Sequence, residues 1–384
     1  MVLTTSLGMV NCYNFPSLPK SSFLCYNILV SDSANFLRET NSRSSLGIST
    51  VQEKEQDMIK CALISGKHMG MMHASNFHNH AEAEVVAVCD MDSDLRAKAE
   101  AEFQVAGYES IEELLANCDA DLILLIVNET RRIPPLHQLL AAGQNVFTEK
   151  PLCGLEGQHR LREVDAAIAA PAILEWRNSG LKFGIDFNYR FMHHFQKLHN
   201  DVVEGRLGQI QMVRARAHFA CWSHVIDQIL WSMGRPEWVS VVGNPNQEGG
   251  WQRMIHMEWA SGTIGTLDGT NTWGMEYPLG VMVVGDSCYA EAWGLEGQYR
   301  CCKANNSEVE ETWGAEEGKP EMPKSFVRMA DGVIQSMLKD QPFPADGEAA
   351  WNELVFEAAV HRSASNNGKR VWLNEVETEA ISNA

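Results

Sequence analysis

From Met58 onward, short apolar runs alternate with segments of helical periodicity. Cys61–Ile64 and Glu84–Cys89 are apolar runs of strand length, and the segment between them, His68 to Phe77, reads as a helix entered through the small-residue turn Ser65-Gly66. Helices are predicted over Ser93–Phe103 and Ser110–Ala116. Asp121–Val127 is a continuous apolar strand, as expected when both of its faces are covered. Pro134-Pro135 open a helix that runs to Ala142 and is capped by Gly143. Asn145–Thr148 is the next strand. A helix over Gly157–Ala170 is expected to break at Pro171, and Lys182–Phe187 gives a further strand. Strands and helices alternating at these lengths predict a doubly wound parallel sheet of the Rossmann type.

The texture changes at Asn188. A helix over His193–Glu204 ends at Gly205, and alternating stretches follow at Gln209–His218, Trp238–Val242, Arg253–Trp259, Thr263–Gly269 and Val281–Val284. Alternation implies an antiparallel sheet with one solvated or ligand-facing side. Helices return at Lys324–Lys339 and Gly347–Ser365. The expected fold class is therefore α/β: an N-terminal Rossmann doubly wound parallel sheet, then a C-terminal α+β domain with a mostly antiparallel open sheet. The expected division is an extension over residues 1–57, a cofactor-binding domain over 58–187 and a substrate or oligomerisation domain over 188–384.

Composition narrows the functions more than the fold. The 384 residues have the hydrophobic content (45%) and charged content (21%) of a globular protein. A net charge of −19 argues against nucleic acid or an anionic membrane surface as partner. No apolar run approaches the roughly 18 to 20 residues of a membrane span. The ten cysteines contain no C-x-x-C pair, and several fall inside expected strands. They read as free core thiols of a reducing compartment, with Cys301-Cys302 an inert pair at a strand edge. Residues 1–57 are Ser- and Asn-rich and carry no acid before Asp32. A disordered extension or a start assigned too early is favoured over an organellar transit peptide, and the expected location is cytoplasmic.

Candidate chemistry gathers where parallel strands end, because ligands of open α/β sheets lie beyond the carboxyl ends of the strands. Ser65, Gly66, Lys67, His68, Met69 and Gly70 stand where a dinucleotide fingerprint has G-x-G-x-x-G, and only the third glycine is in place. A helix starting there would aim backbone N–H groups at a pyrophosphate. Asp90 is spaced to hold ribose hydroxyls, and its charge favours NAD over NADP. Lys67 can pair with phosphate or obstruct it, and a crossover that holds no ligand remains the other reading of this turn. Asn128 and Glu149-Lys150-Pro151 occupy further strand ends. A lysine there can steady a developing alkoxide, though a surface lysine opening a loop is the plainer reading.

The chain resembles the glucose–fructose oxidoreductase/inositol dehydrogenase (Gfo/Idh/MocA) family from about Ile59 to Leu373. The resemblance rests on ALISGKHMGMMH, VVAVCDMD, Glu113-Leu114-Leu115, AAGQNVFTEKPL, FNYRF, EGRLGQI, HVIDQILWSMG and PADGEAAWNELVFEAAVHRSA. It implies NAD- or NADP-dependent oxidation or reduction of sugars and polyols, and dimers or tetramers formed through the C-terminal sheet. It also implies that Lys150 contacts the nicotinamide ribose and the substrate hydroxyl, that His224 is the general acid/base, and that Asp227 is the last acid of the D-x-G-x-H-x-x-D motif. Glu149 and Asn128 are expected on the cofactor side from their place at strand ends.

Departures from the family pattern keep other readings open. The stretch after the fourth strand reads Val127 to Arg132, Ala220 and Trp222 replace the first acid and the glycine of D-x-G-x-H, and the loop before His224 is short. One alternative is a catalytically silent relative with a degraded phosphate loop that binds a nucleotide weakly, as a sensor or subunit. Another is a redox-neutral lyase or glycosidase using NAD transiently. His193, His194 and His199 have no acidic or cysteine cluster beside them, so no metal site is expected.

Overall fold

The computed structural model describes residues 58–158, 162–243, 252–270, 279–303, 308–313 and 321–384. Six parallel strands open it: β1 (Ile59–Ile64), β2 (Ala83–Cys89), β3 (Ala106–Tyr108), β4 (Leu122–Leu125), β5 (Val146–Thr148) and β6 (Phe183–Ile185). They are linked by α1 (His68–His78), α2 (Ser93–Phe103), α3 (Ile111–Asn117), α4 (Ile133–Ala141) and α5 (Glu163–Ser179). The spatial order is β3-β2-β1-β4-β5-β6, so the direction of winding reverses between β1 and β4. That reversal opens a crevice beyond the strand ends. Leu122–Leu125 are all at most 1% exposed, because helices cover both faces of the sheet.

A single turn of 3-10 helix (Asn188–Phe191) and α6 (His193–Val203) lead into a second sheet. Its strands are β7 (Ile210–His218), β8 (Trp238–Gly243), β9 (Arg253–Glu258), β10 (Ile264–Thr270), β11 (Gly280–Gly285), β12 (Cys288–Trp293), β13 (Gln298–Lys303), β14 (Val309–Trp313) and β15 (Val371–Trp372). The order is β14-β13-β12-β11-β7-β10-β9-β8-β15. Every pairing is antiparallel except that of β7 with β10. The remaining helices are α7 (Trp222–Met233), α8 (Glu321–Leu338), α9 (Gly347–Ser365) and α10 (Leu373–Ser382).

The two sheets share their interior. One continuous cluster runs from Ile123 and Ile173 to Val213, Leu267 and Leu354. Met329, Ala330, Val333 and Ile334 of α8 pack with Cys61, Leu63 and Phe77 on the other face of the first sheet. The segment leading into α9 also bonds along β6, with the Ile185 N–H donating to Ala345 O at 2.9 Å.

Three sequence expectations needed correction. The helix expected to stop at Pro171 runs through it as α5, because Ala169, Ala170, Ala172 and Ile173 are all buried, and that packing outweighs one lost backbone donor. Cys301 and Cys302 lie inside the second sheet, since β14 pairs beyond them, and neither has any exposure. Strands β3 and β12 to β15 and helix α10 add elements that the sequence pattern did not resolve.

α1 packs close to β1 because of one residue. A Cβ on Gly70 would sit 2.0 Å from Ser65 O. Gly70→Ala is therefore expected to cost about 2 kcal/mol or more in urea denaturation, through backbone displacement at the β1–α1 turn.

Candidate functional site

The phosphate-turn residues stand at the C-terminal end of β1, and their backbone records the missing glycines unequally. Ser65, where the first glycine would stand, has φ of 101°. An L-residue pays of order 1–3 kcal/mol to hold that conformation. Lys67, in place of the second glycine, has φ −72° and ψ 169°, which any residue adopts. It is exposed, and as N-cap of α1 it makes no side-chain capping bond. No acid occupies the first turn of α1, so its N-terminus keeps the positive character that suits a pyrophosphate. Met69 is half-buried there, and His68 is exposed.

Asp90 ends β2 beside this turn. Its Oδ2 accepts the Gly66 N–H at 2.8 Å and its Oδ1 accepts the Asp92 N–H at 2.9 Å. Each oxygen keeps further acceptor capacity, and the residue is partly exposed. Asn128, beyond β4, is exposed and closes its own turn by accepting from Thr130 N (3.0 Å) and Thr130 Oγ1 (2.6 Å). These side chains fit a dinucleotide: an uncapped helix start, a carboxylate at ribose spacing and a close-packed glycine turn.

At the end of β5, Glu149 turns inward while Lys150 stays half-buried toward the crevice. Glu149 Oε1 lies 2.8 Å from His73 Nε2, and Glu149 Oε2 accepts the Lys150 N–H at 3.0 Å. Asp186, directly after β6, places Oδ2 3.5 Å from the same His73 nitrogen. Burial alone would lower the His73 pKa, but the Glu149 bond and the Asp186 charge raise it. Burial would raise Glu149, yet His73, Lys150 and Arg132 hold it down near 2. Asp186 is pushed up to about 7 by burial and by the Glu149 charge. The bond from Lys150 to Pro151 is cis. Arg132, 2% exposed, donates to Val127 O (2.7 Å) and to Pro151 O.

The Lys150 ammonium donates to Gln158 Oε1 at 3.0 Å and to Ala220 O at 3.4 Å. Ala220 lies in the 3-10 turn Phe219–Cys221 that leads into α7, so this contact joins the two halves of the site. His224, 7% exposed, stacks on Tyr189 with ring centroids 4.2 Å apart and an interplanar angle of 12°. Burial, then the Lys150 charge, hold its imidazole neutral at pH 7. Asp227 is engaged bidentately by Arg190 at 2.6 and 2.8 Å and is 1% exposed. Burial pushes its pKa up against the pull of that guanidinium. The Tyr189 hydroxyl donates to Cys221 Sγ at 2.9 Å, and Cys221 Sγ lies 3.2 Å from His218 Nε2. Burial pushes the Cys221 thiol up to about 11 and His218 down to about 4, so both are neutral.

The structure thus brings Lys150 and His224 into electrostatic reach, and gives Asp227 and Glu149 to buried partners. His73, Arg132, Asp186, Tyr189, Arg190, His218 and Cys221 were not singled out from the sequence. His73 carried a usable signal, because Gly70, His73, Ala74 and Phe77 form the inward stripe of α1 and only one of them is ionisable. The histidines of α6 take separate partners: His194 bonds Gly294 O, His199 stacks on Trp231, and His193 faces Glu321. Ligand atoms of His73, Glu149 and Asp186 lie within 4.8 Å of one another, as do those of Cys288, Cys301 and Glu310. In the first group a cation would have to displace the His73–Glu149 hydrogen bond.

Below the site, Glu353 of α9 has no exposure, and neither carboxylate oxygen has a hydrogen-bond partner among the described residues. Burial, then the charges of Glu357 and Asp227, raise its pKa well above 4.5. Ionising it costs stability as pH climbs from about 4.5 through the folded-state value. Glu353→Gln removes that loss. Its unfolding free energy should match wild type near pH 4.5 and exceed it increasingly toward pH 8, by up to about 1.4 kcal/mol per pH unit, read as a rising melting-temperature difference. A pH-independent difference in thermal melts would show an ionised carboxylate instead.

Residues 59–170 match a family described as an oxidoreductase family with an NAD-binding Rossmann fold. The inositol 2-dehydrogenase of Rhizobium meliloti is 26% identical over 157 residues, 40% of this chain and 44% of that protein. The D-glucoside 3-dehydrogenase of Escherichia coli is 27% identical over 238 residues, 55% of this chain and 64% of its own length. The matched stretches therefore span less than two thirds of either relative. The fold itself extends further. The WlbA dehydrogenase from Bordetella pertussis, solved with NADH and UDP-GlcNAcA, superposes with a TM-score of 0.67 at 18% identity, covering 82% of this chain and 98% of that one. Over residues 59–170 the chain is therefore similar to the NAD-binding Rossmann domain of that oxidoreductase family, and both relatives are dehydrogenases by name.

Proposed function

We propose that the protein is an NAD-dependent dehydrogenase or reductase that moves a hydride between the nicotinamide and a sugar- or polyol-like alcohol or carbonyl. The observation that carries this reading is the meeting of the half-buried Lys150 ammonium with the start of α7, where a neutral His224 sits. Residues 58–187 hold the cofactor, with the α1 N-terminus and Lys67 on the pyrophosphate and Asp90 on the ribose hydroxyls. Residues 188–384 supply the substrate side. The bound dinucleotide supplies a hydride acceptor. His224 takes the hydroxyl proton, which a neutral imidazole can do. Lys150 stabilises the charge growing on the same oxygen. Asp227 holds α7 against Arg190 rather than exchanging protons with the substrate. The named substrates of the relatives, an inositol and a D-glucoside, support the polyol and sugar class.

Asp90 makes NAD the preferred cofactor, since a 2′-phosphate would meet its carboxylate. The helix-free face of the second sheet presents Val242, Met254 and Ile264, each exposed, and supports self-association through that sheet. Among the described residues no helix is long and apolar enough to cross a membrane.

A silent relative is the rival reading, favoured by Ala220 and the strained Ser65. NADH titration followed by tryptophan emission and thermal shift separates the two, because the rival requires no change at millimolar dinucleotide. With a sugar and polyol panel read as NADH absorbance, Lys150→Ala should lose turnover by about 10² or more. Unchanged turnover would remove Lys150 from the chemistry. Asp90→Ser should narrow the preference for NAD over NADP by roughly tenfold, measured as the ratio of kcat/KM values.

A further inference from the structure

Helix α1 buries one ionisable residue on its sheet-facing stripe, and that residue is polar for a reason that packing does not supply. His73 has no exposure. Its ring stands edge-on to Phe147 (6.1 Å, 65°) and Phe326 (5.8 Å, 76°), a pocket in which a leucine would be cheaper. Its Nδ1 has no partner among the described residues, so the ring's hydrogen bonding is concentrated at Nε2, between Glu149 Oε1 and Asp186 Oδ2. Glu149 in turn fixes the backbone N–H of Lys150. Two hydrogen bonds thus connect the helix that starts at the phosphate turn to the residue proposed to meet the substrate oxygen. The charged groups facing this path are Glu149 and Lys150 from the end of β5, Asp186 from the end of β6 and Arg132 from the start of α4.

We infer that His73 is a positioning residue, tying α1 to the Glu149-Lys150 turn so that seating a pyrophosphate on α1 and aligning the Lys150 ammonium are one coupled event. This rests on the functional reading above. A buried ion pair is weak evidence for stability, since apolar replacements are often as stable. Burying three ionisable groups at the crevice therefore points to alignment. Arg132, which grips the carbonyl on the far side of the same turn, sets the reference for a contact without a link to α1.

The test uses the full chain carrying reductively 13C-methylated lysines, with the Lys150 signal assigned by its loss in Lys150→Arg. ADP is the probe, because it carries a diphosphate without a nicotinamide. In wild type, ADP should shift the Lys150 signal. In His73→Leu, ADP should still bind by calorimetry, the shift should vanish, and kcat should fall roughly tenfold to a hundredfold with KM for the alcohol little changed. His73→Gln keeps a donor near the Nε2 position and should restore part of both. If His73→Leu does not fold by circular dichroism, Glu149→Leu, which leaves neither acceptor, cuts the same path from its other end, and the same loss is expected. An ADP-induced Lys150 shift that persists in a folded variant, or is absent from a wild type that binds ADP, overturns the inference and leaves the function standing. A wild type that binds neither ADP nor NADH overturns both.

Discussion

The amine of Lys150 is presented by a turn whose backbone is gripped from inside on both sides. Glu149 takes the lysine N–H, and Arg132 takes the carbonyl of the following proline. Neither grip would survive alone, because an isolated buried carboxylate or guanidinium is costly to desolvate. Each is offset by its neighbours: His73 and the Lys150 and Arg132 charges for the carboxylate, the Val127 carbonyl for the guanidinium. The crevice-facing charge therefore takes its position from the interior of the protein, while its own side chain bonds Gln158 and the Ala220 carbonyl among the described residues.

The opposing half of the crevice is anchored by a different device. The turn Asn188–Phe191 follows β6 and supplies Tyr189, on which His224 lies flat, and Arg190, which clasps Asp227. One short segment thus fixes two points of α7, three residues apart on one face of the helix. Because β6 also carries Asp186 at its end, both halves of the crevice are referenced to the same strand. That shared reference allows a lysine and a histidine 74 positions apart in sequence to approach each other reproducibly.

Much of the architecture was legible because the first sheet obeys local rules. Ser93–Phe103 and Gly347–Ser365 follow from capping and periodicity, with Asp92 and Asp346 accepting the first-turn N–H groups. Pro171 misled because tertiary burial of its alanine neighbours overrode a local rule. The short strands β3 and β15 escaped because their pairing partners, not their composition, define them. The site was legible where chemistry sits at strand ends, as with Asp90 and Lys150. It was not legible where function is shared with the interior. Glu149 reads as a crevice residue and turns inward, and Arg132 reads as part of a degraded motif yet braces the lysine turn. Ser65 carries its departure from the glycine pattern as a strained backbone, which a letter in a sequence does not display.

The placement of α8 has a consequence for how the chain emerges during synthesis. Met329, Ala330, Val333 and Ile334 cover Cys61, Leu63 and Phe77, some 250 residues earlier. Helices α1 and α2 cover that side of the first strands early, but the part that α8 covers stays open until nearly the whole polypeptide has left the ribosome, and contacts so distant along the chain form slowly. A nascent product stopped short of residue 321 would leave that part open to other chains, making it a natural client for chaperones.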